Sequence, residues 1–179
     1  MPKDEYLIVL DFLPMGKATD KKVEPLAQGI GEKYFSLLEV VIKKGVAVKP
    51  KDRIYIGEGK RDVVEYIKRR ITYDELTSLA KDNLEGVVAE IVEKDEKRFV
   101  NIINMAPPLS TRMHSLELLP GIGKKHLFSL LQERKNKPFE SFEDLKKRVE
   151  MIPDPKKMVV KRIISEIKNE DRHRLFVFS

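Results

Sequence analysis

The sequence predicts an α+β protein of two domains, a β-barrel over residues 1–106 followed by an all-α domain over residues 107–179. Three observations carry this. Ala106-Pro107-Pro108 removes two backbone donors in succession, which interrupts helix and sheet alike and places the linker at Asn104 to Ser110. Before that point the apolar runs are short and β-branched, whereas after it apolar residues recur three and four apart. Charge segregates at the same place: residues 1–106 hold 19 Lys+Arg and 19 Asp+Glu, and residues 107–179 hold 16 and 10. The whole formal excess of +6 is therefore C-terminal, the electrostatic footprint of a surface that meets a polyanion.

Composition narrows the classes. A chain of 179 residues suits two modest domains. The absence of Cys excludes a disulfide framework and any thiolate metal site. The N-terminus lacks the order of a signal peptide, and no apolar run approaches the roughly 18 to 20 residues of a membrane span. The expectation is a cytoplasmic protein with no membrane partner. Charged residues make up 36% of the chain and Trp is absent, a bias shared with the surface ion-pair networks of heat-adapted proteins.

Taken in order, Tyr6 to Leu13 reads as a first strand and Tyr34 to Ile42 as a second. Pro14 to Lys33 between them reads as an irregular connection bearing Lys17, Lys21, Lys22 and Lys33. Arg53 to Ile56 is a third strand, set between the turns Pro50-Lys51-Asp52 and Gly57-Glu58-Gly59. Val63 to Ile67 and Tyr73 to Asp82 carry helical spacing. Val87 to Val92 and Phe99 to Ile103 then flank the polar Lys94-Asp95-Glu96-Lys97 and read as a hairpin. Three strands, a helical segment and two strands is the element order of an OB-fold. Burying Ile54 and Ile56 turns Tyr55 outward, and burying Tyr34 and Leu38 turns Phe35 outward. Both are candidates for stacking a nucleic-acid base.

The C-terminal half reads as four helices: Ser110 to Leu118, Lys124 to Arg134, Ser141 to Val149 with Ser141 and Asp144 as a capping pair, and Lys156 to Lys168. Leu127, Leu130 and Leu131 form one core stripe, and Val159, Val160, Ile163, Ile164 and Ile167 form another. The tail Arg172 to Ser179 ends in Leu175-Phe176-Val177-Phe178, apolar enough to dock on the body as an extended segment.

Between the first two of these helices stands Leu119-Pro120-Gly121-Ile122-Gly123-Lys124-Lys125. Gly121 and Gly123 allow a sharp turn, and Ile122 is placed to plug the helix pair. The helix that starts at Lys124 has no Ser, Thr, Asp or Asn before it, so its first N–H groups lack a side-chain cap. Bare amides and the positive end of the helix dipole form an anion site suited to a nucleic-acid phosphate. Lys124 and Lys125 oppose that dipole by roughly 0.3 to 1 kcal/mol each, a sign that a bound phosphate reverses. At the second hairpin, Ile152-Pro153-Asp154-Pro155 lacks both glycines, and Asp154 caps the last helix itself. That hairpin reads as structural, with Lys156, Lys157, Lys161 and Arg162 adding diffuse positive charge.

The segment Leu118 to Ile167, within residues 109–168, resembles the tandem helix-hairpin-helix domains of DNA-repair and DNA-uptake proteins. Leu119-Pro120-Gly121-Ile122-Gly123 matches the first hairpin, and Phe139-Glu140-Ser141-Phe142-Glu143-Asp144-Leu145 matches the connector. The resemblance implies contact with DNA or RNA backbone independent of sequence, in some members with a monovalent cation held by hairpin carbonyls. The whole layout is also similar to an archaeal family known only as a domain of unknown function. No other cofactor is expected.

No catalytic constellation emerges. His114, His126 and His173 fall into no metal-ligand spacing, the carboxylates are scattered, and the Gly-x-x-x-x-Gly-Lys-Ser/Thr spacing of a phosphate loop is absent. Two alternatives stay open: a protein-docking module within a nucleic-acid-processing assembly, and a Mg²⁺-dependent nuclease.

Overall fold

Apolar residues on one face of successive short strands demand a sheet that curls over them, and the computed structural model, which describes residues 3–178, has such a sheet. Its five antiparallel strands are β1 (Tyr6–Leu13), β2 (Leu26–Gly31), β3 (Leu37–Ile42), β4 (Arg53–Tyr55) and β5 (Val64–Arg70), in the order β4-β1-β2-β3-β5. The protein is of mixed α+β class. Five α-helices follow among the described residues: α1 (Ser78–Lys94), α2 (Glu96–Met105), α3 (Lys124–Asn136), α4 (Phe142–Arg148) and α5 (Pro155–Ile167). No helix among these residues is long and apolar enough to cross a membrane. The chain divides into two compact units, residues 3–87 with 177–178 and residues 88–176. The division falls inside α1 rather than at the prolines. Residues 1, 2 and 179, the outer ends of the two expected domains and of the tail, lie outside the described residues.

In the first unit Leu7, Val9, Ala27, Val40, Ile42, Ile54, Ile56 and Val64 form the core. Gln28 and Glu39 stand opposite each other on β2 and β3. Glu39 is buried, so its charge needs partners. Gln28 Nε2 donates to it at 3.2 Å, and Lys17 and Arg69 pair with it at 2.5 and 2.8 Å. The connection from β1 to β2 is held over β5 by the same means, with Asp20 on Lys68 at 3.2 Å and the Tyr66 hydroxyl donating to Glu24 at 2.8 Å.

Several sequence expectations are corrected here. Pro14 to Lys33 contains β2, which is buried throughout and therefore lacks the alternation that marks a half-exposed strand. Of the segment Val63 to Ile67, Val64 to Ile67 belong to β5 and Val63 to the bend before it, so no helix forms there; β-branched and aromatic residues line a free sheet edge. Val87 to Val92 and Phe99 to Ile103 are helical, not a hairpin. Val87, Val88, Ile91 and Val92, then Phe99, Val100 and Ile103, keep the spacing of one helix face, and burying that face outweighs the β-propensity of the residues. Lys94 and Asp95 mark the break between α1 and α2. Tyr73 to Asp82 does turn helical, as a 3₁₀ turn at Tyr73–Glu75 and the start of α1, but all five strands among the described residues precede it, so it follows the last strand instead of lying between the third and fourth. Ser110 to Leu118 is also not an α-helix: only Ser115 to Leu118 forms a 3₁₀ turn.

In the second unit Phe99, Val100, Ile103, Leu116, Leu119, Leu130, Phe139, Leu145, Val159 and Ile163 are buried. Ser141 caps α4 by accepting from Asp144 N at 2.9 Å, as its sequence indicates. The tail docks without forming a strand. Glu166 accepts from the amides of Leu175 and Phe176 at 2.6 and 3.1 Å and pairs with buried Arg162 at 3.0 Å. Phe176 packs on Phe99 with ring centroids 5.9 Å apart.

Candidate functional site

A helix leaves its first N–H groups without intrahelical acceptors, and what stands before the helix decides their fate. Before α3 stands Gly123, with extended backbone (φ −98°, ψ −172°) and no side chain to cap with. The first intrahelical bond runs from Leu127 N to Gly123 O at 2.9 Å. The amides of Lys124, Lys125 and His126 meet no acceptor among the described residues. Approach is open as well: a Cβ on Gly123 would have nothing within 4 Å.

The turn that presents these amides is fixed by Gly121 and Ile122. Gly121 has φ +84°, and a Cβ there would stand 3.0 Å from Pro153 Cγ. Only glycine takes this position without strain while Pro153, in the turn before α5, lies against it. Ile122 is buried, and its N donates to Leu119 O at 3.2 Å. α5 is capped as its sequence indicates: Asp154 accepts from Lys157 N at 3.1 Å, and Pro155 opens the helix.

The cations beside the turn differ in availability. Lys124 Nζ is held by Glu117 at 2.7 Å and donates to Arg112 O at 3.2 Å. Hydrogen bonding from Lys124, then from the His114 amide, holds the Glu117 carboxyl below the ordinary range. Glu117 is the neighbour that sequence reasoning missed. Its signal is weak, because the residue three positions earlier that shares its capping role is His114, whose Nδ1 accepts from Leu116 N at 3.1 Å. Burial, then the Arg134 cation, pushes the His114 imidazole below its usual range, which favours the neutral, accepting ring. His126 Nε2 lies 3.1 Å from Met151 O. Lys125, Lys157 and Lys161 are exposed and have no ion-pair partner among the described residues, whereas Lys156 pairs with Glu93 at 3.0 Å. Arg162 is buried against Glu166 and adds no surface charge.

The two aromatic candidates of the first unit part company. Phe35 is only 2% exposed, in a turn where its own φ is +57°, so it belongs to the core and offers no stacking platform. Strand alternation did not apply to it because β3 starts at Leu37. Tyr55 is half-buried, with its ring edge-on to Tyr6 at 5.5 Å and its hydroxyl accepting from Gly59 N at 3.0 Å. No cluster of His and carboxylates able to hold a metal occurs among the described residues.

Comparison with known proteins matches residues 3–178 to the model of the family described as "Protein of unknown function (DUF655)". The chain belongs to the DUF655 family. The uncharacterized protein MJ0038 of Methanocaldococcus jannaschii is 42% identical over 175 residues, which span 98% of this chain and 79% of that relative. The crystal structure of Af1531 from Archaeoglobus fulgidus, a DUF655 protein, is similar with a TM-score of 0.88 and 49% identity, over 98% of this chain and 100% of that one. DUF655 membership thus extends across both units.

Proposed function

We propose that this DUF655 protein binds the backbone of DNA or RNA without sequence preference, holding a phosphate at the N-terminus of α3. The turn of Gly121, Ile122 and Gly123 presents the site, and Lys125 supports it from the first helical turn. The observation that carries the reading is the row of amides at Lys124, Lys125 and His126, unmet by any acceptor among the described residues and preceded by Gly123, where a Cβ would meet nothing within 4 Å. Lys124 is a second-order contributor, since it must leave Glu117 to reach a phosphate.

Within this reading residues 109–168 act as a tandem helix-hairpin-helix domain with one gripping and one supporting hairpin, its first helix shortened to a 3₁₀ turn. The curled sheet acts as an OB-like domain. Its order β4-β1-β2-β3-β5 supports this, because β1 pairs with both β2 and β4 as in a partly open five-stranded barrel. The protein works in the cytoplasm as a binder, not as an enzyme. A second reading, docking of a protein partner, is favoured by exposed Phe128 and Met151 near the same turn.

Salt dependence separates the two readings. Fluorescence anisotropy with single-stranded, duplex and junction DNA and matched RNA should give a linear fall of log affinity with log salt, with a slope of about −0.9 per duplex phosphate neutralised. Affinity that ignores salt would overturn the phosphate reading in favour of protein docking.

A further inference from the structure

β4 and β5 are the two edges of the sheet, and a cleft of about 570 Å³ is lined by residues of both. That volume lies in the range of small-molecule sites. The simplest occupant of a sheet edge, another strand, is discouraged here. Arg61 donates from Nε to Gly57 O at 2.8 Å and from Nη2 to Ile56 O at 3.0 Å, so the carbonyls that continue β4 are already used. Lys68, Arg69 and Arg70 stand in sequence on β5, and charge on an edge repels strand addition. The cleft suits a compact ligand.

Its lining specifies three chemical properties. Leu38, Ile56 and Ile67 with the Tyr55 ring give an apolar surface able to take a flat ring system. Lys3 and Arg70 also line it, and neither has a carboxylate partner among the described residues, which suits an anion. The third property is an unmet acceptor. Asp4 is 6% exposed; its Oδ1 accepts from the amides of Lys33 and Tyr34, each at 2.8 Å, while its Oδ2 is buried with no partner. Gly31 makes room for that carboxyl, since a Cβ there would lie 1.8 Å from Oδ2. Asp4 lines the cleft, and its unpartnered carboxylate oxygen leaves acceptor capacity there that a ligand donor can use. Glu5 and Glu58, also in the lining, add acceptors for hydroxyl groups.

A flat ring with N–H donors, hydroxyls and an anionic group is a nucleotide. We propose that the cleft binds an unpaired nucleotide, free or as one residue of a single strand, with the base among Tyr55, Leu38 and Ile67 and the phosphate toward Arg70 and Lys3. In its single-strand form the proposal rests on the nucleic-acid reading above and narrows its substrate to unpaired segments.

The test titrates AMP, a single-stranded RNA dodecamer and the blunt duplex of the same sequence into the full chain, followed by amide chemical shifts. AMP, the single strand or both should move the amides of Gly57, Gly59, Ile67 and Arg70. Ile67→Gln, at an exposed edge position, should weaken whichever of them binds by about tenfold, the scale of one stacked base, while any duplex affinity stays unchanged. A response to AMP alone identifies a free-nucleotide site, and a response to the strand alone identifies a nucleic-acid site. Still amides under both ligands overturn the proposal, as does undiminished affinity in folded Ile67→Gln; the wild-type shifts decide even if that variant unfolds. Gly123→Asp in the same series reports on the hairpin separately: it should weaken duplex binding roughly 100-fold and leave the AMP response intact.

Discussion

Replacing Gly123 by Asp should make the protein more stable and at the same time remove its grip on phosphate. The backbone at Gly123 already has the extended geometry of a helix N-cap, and a Cβ there meets nothing within 4 Å. Asp in place of Gly at such a position gains a few tenths of a kcal/mol from capping. A negative charge at the helix start adds about 0.3 to 1 kcal/mol, and loss of glycine freedom in the unfolded chain adds a similar amount. The net gain is about 1 to 2 kcal/mol, or a rise of about 2 to 8 °C in melting temperature for a chain of this size. The same carboxylate occupies the amides and faces the incoming phosphate. Two lost hydrogen bonds to a charged group, at about 1.5 kcal/mol each, reduce affinity roughly 100-fold. Thermal melting by circular dichroism and anisotropy at one fixed salt concentration read the two effects. A lowered melting temperature, or binding equal to wild type, would refute the reasoning.

Three further predictions follow from local geometry. Gly121→Ala should cost about 1 to 2 kcal/mol, because a side chain resists φ +84° and presses on Pro153; chemical denaturation checks this, and an unchanged midpoint would contradict it. Glu166→Gln leaves Arg162 buried without its nearest charge and should cost about 3 kcal/mol, with faster hydrogen exchange at the Leu175 and Phe176 amides; unaltered exchange would show that the tail is held by other means. Hydrogen bonding from Arg69, then from the Thr72 amide, lowers the Glu75 carboxyl to about 2 from an ordinary 4.5. Its contribution to stability is therefore complete above pH 4.5 and is lost as pH falls toward 2, so urea midpoints of wild type and Glu75→Gln should converge with acidification; a gap independent of pH would contradict this.

The features legible in the sequence were those fixed by one or two residues. Ser141 and Asp154 announced the starts of α4 and α5, and Gly121-Ile122-Gly123 announced the turn before α3, because capping and turn geometry are local. β2 was not legible: a strand buried on both faces shows no alternation. Val87 to Val92 and Phe99 to Ile103 went astray for the opposite reason, since residue type favoured strand while spacing favoured helix, and spacing governs which face can be buried. At the candidate site, the bare amides followed from what precedes Lys124. The pairing of Lys124 with Glu117 did not, because it depends on how the 3₁₀ turn folds back toward α3. Phe35 shows the same limit, its outward placement having rested on a strand that begins two residues later.

Amide chemical shifts during titration with a short duplex at low salt test the phosphate grip most directly. The account predicts that Lys124, Lys125 and His126 move most and that added salt reverses the change. Duplex binding that leaves these three amides in place would contradict it.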